Sequence, residues 1–151
     1  MATSPGTAPR SRSLVELAGL VVGATFLLVG ILGFVPGITT EGLEAAGTGS
    51  EAKLLGLFQV SVLHNLVHLS FGIVGLAMAR TAAGARTFLV FGGVIYVVLF
   101  IYGLVIDKTG DLNFLPFNDA DDFLHLGLAV GMLGLGLTLG RRDEAHTHTT
   151  V

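Results

Sequence analysis

The sequence predicts an all-α membrane protein, a bundle of four transmembrane helices with both termini on the cytoplasmic side. Three observations predict it. Hydrophobic residues make up 52% of the 151-residue chain and charged ones only 13%, about half the charged share of soluble domains; mean hydropathy is +0.79. Four segments, 14–35, 54–79, 87–106 and 123–140, carry one charged residue between them, Glu16. Arginines gather at the two ends and on the middle connection. By length the chain is one domain, read as an arm (1–13), a transmembrane domain (14–140) and a tail (141–151), with arm and tail disordered and cytoplasmic.

The four apolar runs hold 22, 26, 20 and 18 residues, and crossing a hydrocarbon core takes about 20 helical residues. In lipid only helices and closed barrels satisfy the backbone, and a barrel's short alternating strands are missing. The first run is too long for the apolar core of a secretory signal and reads as an uncleaved span. Its glycines Gly19, Gly23, Gly30, Gly33 and Gly37 recur at three- and four-residue spacings, so they share one face with Phe26 between them. Helices in lipid associate by close packing and polar contacts, which is what such a face permits. Glu16, near the inner end, is expected to snorkel to the interface.

The second run has a comparable seam through Ser61, Asn65, His68, Gly72, Gly75 and Ala79. The third carries Tyr96 near its middle and Tyr102 near its outer end. The fourth has two seams, one through His125, Ala129, Met132 and Gly136 and another through Gly127, Gly131 and Gly134. The expected helix-packing glycines are therefore Gly23, Gly30, Gly33, Gly72, Gly75, Gly127 and Gly131. A second seam on one helix suggests a further neighbour, in a homo-oligomer or a larger membrane complex. Residues 65–69 resemble residues 122–126, and the pair Gly23 and Gly33 matches Gly93 and Gly103, so a parallel two-helix repeat is expected.

Orientation follows from six arginines, Arg10, Arg12, Arg80, Arg86, Arg141 and Arg142, against Lys53 and Lys108 on the other two connections. Basic residues in short segments stay in the cytoplasm, which places the chain in a bacterial inner membrane with acidic loops outside. The net charge of −3 gives no nucleic-acid signal, and with no cysteine, disulfides and thiol chemistry are excluded.

Ionisable groups inside spans are costly and mark candidate sites. His64, Asn65 and His68 on the second span, His125 and Asp122 on the fourth, and Tyr102 form a candidate ligand or packing pocket in the outer half. Three chemistries suit these histidines: a metal held by His64, His68 and His125, haem held between two helices, or passage of protons or a small substrate. The favoured reading is hydrogen-bonding glue between helices, worth about 0.6 kcal/mol per bond, and a non-catalytic role as a structural or partner subunit or a small-ligand binder is favoured over an enzymatic one. No cofactor is assigned. Asp119 or Asp121 is expected to cap the fourth helix, with Asp122 a candidate to orient His125. His146 and His148 are read as part of a solvated tail.

The segment from His64 to Leu69, followed by Gly72 and Gly75, together with Leu115-Pro116-Phe117-Asn118 and Asp121-Asp122-Phe123-Leu124-His125-Leu126, resembles the DUF4383 family of uncharacterised bacterial membrane proteins. The resemblance covers residues 14–140. It implies a four-span protein with no established activity, and it groups His68, Asn65 and His125 as a matched set. The family pattern has asparagine where this chain has Asp122.

Overall fold

The computed structural model describes residues 11–148, with side chains through Gly140. Helix α1 runs over Leu14–Leu32. A reciprocal cap starts it: the Ser13 hydroxyl accepts from the Glu16 backbone N–H (3.4 Å), and the Glu16 carboxylate accepts from the Ser13 N–H (3.0 Å). Such a cap satisfies two of the helix's four free donors. Glu16 is therefore buried against its own helix end, where the sequence reading had it reaching outward.

The largest departure from the sequence reading follows α1. The second apolar run was expected to be helical over 54–79, but its first third forms a hairpin. Strand β1 (Lys53–Leu54) pairs antiparallel with β2 (Phe58–Gln59), in the register Lys53 to Gln59. Leu55 and Gly56 turn the chain with φ of 54° and 71°, a left-handed conformation that no right-handed helix can include. Ala52, Leu54 and Val60 bury themselves beneath the hairpin against Val29, Leu32 and Ile38. Helix α2 then covers only Val62–Met78. Ser61 starts it, its hydroxyl accepting from the His64 N–H at 3.1 Å.

Helix α3 spans Ala82–Val105, capped by the Thr81 hydroxyl on the Gly84 N–H (3.1 Å). It begins five residues before the apolar run because the cap, not Arg86, decides where helix starts. Helix α4 spans Asp119–His148. Its backbone continues beyond Gly140 through much of the segment read as a tail; residues 1–10 of the arm, residues 149–151 and the side chains of His146 and His148 lie outside the description. The fold is thus all-α, with four helices. Three of them, Leu14–Leu32, Ala82–Val105 and Asp119–Gly140, are long and apolar enough to cross a membrane, while α2 is a shorter apolar helix of 17 residues.

Helix α1 packs chiefly on α2, and α3 chiefly on α4. The α1–α2 seam is backbone on backbone: a Cβ added at Gly23 would lie 2.9 Å from Leu76 N, and one at Gly72 would lie 2.6 Å from Leu27 N. The α3–α4 pair repeats this, with a Cβ on Gly93 meeting Leu133 N at 2.9 Å. Gly33 faces the Asn65 amide, and the matched Gly103 faces the Asp122 carboxylate. Gly127, Gly131 and Gly134 make no such approach. They line an outward face of α4 with open space before them. The helices expose Val21, Ile73, Phe91, Val98 and Val130, the apolar exterior that suits contact with lipid.

Asn65 ties the C-terminal end of α1 to the N-terminal end of α2. Its Nδ2 donates to the carbonyl of Gly33, the C-cap residue of α1, at 2.8 Å. A helix end leaves carbonyls without partners, and this bond takes one of them. Asn65→Ala is expected to cost about 1 kcal/mol, read as a lower thermal unfolding midpoint in detergent. An unchanged midpoint would show that the carbonyl finds another donor.

Candidate functional site

Beneath the hairpin lies a cavity of about 230 Å³. Helix α1 contributes Val22, Thr25, Phe26 and Val29, the hairpin region Leu54, Leu55, Phe58 and Val60, and α4 Leu124 and Leu128. Its polar residues, Thr25 apart, are His64 and His68 from α2 and Asp121 and His125 from α4. His64 and His68 stand one turn apart on α2, so both rings reach the cavity, and their centroids lie 4.6 Å apart.

Six rings close on one another around this level. His64 meets His68, His68 meets Phe26 (5.8 Å), and Phe26 stacks on Tyr96 at 5.5 Å with planes 15° apart. Tyr96 meets His125 (5.4 Å), His125 meets Phe117 (4.7 Å), and Phe117 returns to His64 (5.7 Å). Most contacts are tilted or edge-on, the geometries that ring quadrupoles favour. Phe117 reaches this position from the third loop because Asn113 shapes that loop. The Asn113 amide donates to the carbonyls of Lys108 (3.0 Å) and Phe117 (3.1 Å), and its oxygen accepts from the Phe117 N–H (2.9 Å).

The imidazoles are buried, yet the Nδ1 atoms of His64, His68 and His125 have no hydrogen-bond partner among the described residues. A buried polar atom without a partner is costly and calls for an explanation. Asp121, also buried, is satisfied by backbone: its Oδ2 accepts from the N–H groups of Gln59 (3.1 Å) and Asn118 (2.9 Å). The Asn118 side-chain oxygen in turn accepts from the Asp121 N–H (3.1 Å). Asn118 and Asp121 thus cap α4 reciprocally, and the same carboxylate fastens the hairpin to α4.

Of the pocket residues expected from the sequence, His64, His68 and His125 meet at the cavity. Asn65, Asp122 and Tyr102 do not line it. Asn65 bonds Gly33. Asp122 pairs with Lys108 rather than with His125. Tyr102 donates to the Leu112 carbonyl, and its ring meets Phe117 edge-on at 6.2 Å. Phe26, Phe117, Asp121 and the hairpin wall complete a site that the pattern of spans did not outline. Gly56 in an apolar run followed by Gln59 and Ser61 was the one local signal of the hairpin. Among the described residues no group of three His, Cys, Asp or Glu side chains is placed to hold a metal ion. Outside the spans, exposed Asp107 has its carboxyl held below the usual range by hydrogen bonds from the Thr109 hydroxyl and N–H.

The fold and the cavity define a four-helix protein with membrane-span-like helices around an aromatic-ringed pocket. The chain belongs to the DUF4383 family: the family model, a domain of unknown function, matches residues 16–138. No curated protein and no solved structure matches it.

Proposed function

We propose that this protein is a non-catalytic binder of a small apolar ligand in the bacterial cytoplasmic membrane, with both termini cytoplasmic and the cavity in the outer half. The observation that carries this reading is an apolar cavity lined by three buried imidazoles whose Nδ1 atoms have no partner among the described residues. An apolar pocket with a few convergent polar groups is the usual form of a small-molecule site. The arginine distribution supports the orientation, and a reporter fused after Val151 is expected to read as cytoplasmic. The reading of a metal held by three side chains has less support, because among the described residues no group of three His, Cys, Asp or Glu is placed to hold one. The outward glycine face of α4 supports assembly with a second subunit.

Thr25 is exposed on the cavity rim, and its hydroxyl bonds only its own helix, to the Val21 carbonyl at 2.9 Å. Thr25→Trp is therefore expected to block the mouth without disturbing the bundle. Solvent extracts of purified wild-type protein should contain a stoichiometric small apolar molecule that the variant lacks. Extracts identical in composition would remove the reading.

A further inference from the structure

We infer that the cavity takes an uncharged amphiphile with a flat ring head bearing carbonyl or hydroxyl oxygens, of the quinone or phenol class, whose apolar tail leaves the rim beside Thr25 and Leu55. The inference rests on the ligand-binding reading above and specifies the ligand's chemistry.

Charge is the first constraint. Among the described residues no lysine or arginine lines the cavity, while the Asp121 carboxylate does. An anionic head would face that carboxylate with no basic residue in the lining, the nearby Lys108 being paired with Asp122. A buried unpaired charge is far more costly than a neutral polar group. A fatty acid carboxylate is therefore disfavoured, and a cation finds Asp121 Oδ2 already engaged by two backbone N–H groups.

Hydrogen bonding is the second. His64, His68 and His125 are at most 8% exposed, and each has a free Nδ1. A neutral imidazole nitrogen either donates or accepts, so the three together match a head carrying oxygens that do the same. A plain alkane would leave all three unmade.

Shape is the third. Phe26, Phe58 and the imidazoles give the polar end flat walls, which suit a planar ring. The volume of about 230 Å³ lies at or below the low end of ligand pockets, roughly 300–1,000 Å³, so a ring head enters and a long tail stays outside. The rim is where a tail can leave. Leu55 stands there 63% exposed in a left-handed conformation, φ 54°, rare for a branched side chain. Thr25 opposite it is on the outward side of α1. Both face the apolar exterior of the bundle.

The test uses the full chain in lipid nanodiscs with three probes: 2,3-dimethyl-1,4-naphthoquinone, hexadecanoic acid at alkaline pH, and hexadecane. A ligand that binds only the folded state raises the unfolding midpoint. The naphthoquinone is expected to raise it saturably and to quench fluorescence from Tyr96, whose ring touches His125. The acid and the alkane should do neither. His68→Phe and, separately, His125→Phe keep a ring but remove the nitrogens, and each should weaken naphthoquinone binding by about tenfold. Tighter binding of the acid, or naphthoquinone affinity unchanged in both variants, overturns the inference. Stabilisation by hexadecane alone also overturns it while leaving the ligand-binding reading intact. If no probe has an effect and the extracts of wild type and Thr25→Trp agree, both fall together.

Discussion

Lys108→Met is expected to destabilise the protein by about 2 kcal/mol, less than the roughly 3–5 kcal/mol that breaking a fully buried ion pair costs, because Lys108 is itself partly exposed, and Asp122→Asn in the same chain is expected to restore most of it. Asp122 is buried with its carboxylate packed on Gly103 of α3, and its Oδ1 has no partner among the described residues. Its Oδ2 pairs with Lys108. The neighbouring helix end is the C-terminal end of α3, the negative end of the helix dipole, where a carboxylate is unfavourable. The matched site on α2 shows the alternative: there Asn65 faces Gly33 and donates an N–H to its carbonyl. A carboxylate cannot donate, so at Asp122 a lysine supplies the missing positive charge. Lys108 is partly exposed, 27% by side chain, and can be hydrated when it loses its partner; Asp122 cannot. Asp122→Asn alone should therefore sit within about 1 kcal/mol of the wild type. A double-mutant cycle on thermal unfolding in detergent checks the coupling. Additive effects of the two substitutions would show that the pair is not what holds Asp122 in place.

Gly72→Leu is expected to cost about 3 kcal/mol, the upper part of the range for overpacking. The atoms its side chain would strike are backbone, Leu27 N and the Gly23 carbonyl, and backbone in a helix cannot rotate aside as a side chain can. The two helices would have to move apart, and α2 carries both His64 and His68 to the cavity. A loss of folded protein, or a low unfolding midpoint in detergent, is the expected result. Gly131→Leu is the matched control. Its side chain would enter open space, so the single chain should tolerate it, and any change it causes in particle size on a sizing column would report a partner on that face. A Gly72→Leu protein as stable as wild type would mean that the close α1–α2 approach is dispensable.

Much of this architecture is legible in the sequence, because apolar length and small-residue spacing are local signals. Gly23 and Gly72 announce a close approach by their spacing, and Leu14, Thr87 and Phe123 begin runs that α1 and α3 cover except at their last residues and that α4 includes. The hairpin is not legible in this way. Leu54-Leu55-Gly56-Leu57-Phe58 is as apolar as a span, and only the conformations of Leu55 and Gly56 separate it from helix. The histidines stand out in the sequence because an imidazole in an apolar run is conspicuous. Their neighbours were assigned by proximity along the chain, and there the reading blurred: Asn65 is adjacent to His64 in sequence, but its amide is claimed by Gly33, 32 residues away. Phe117 and Asp121 reach the site through loop and cap hydrogen bonds that join distant segments, and hydropathy carries no trace of those.

The closed circuit of rings has a mechanical consequence. Its six members come from five segments: α1, α2, α3, the third loop and α4. Each member touches two others, so the chain of contacts has no end at which slippage can begin. A helix that turns about its own axis must give up ring contacts on both sides at once, and its neighbours cannot follow without doing the same. The azimuths of all four helices are thereby indexed to one another at a single height, and a molecule that shifts one ring there reaches every helix through at most a few contacts.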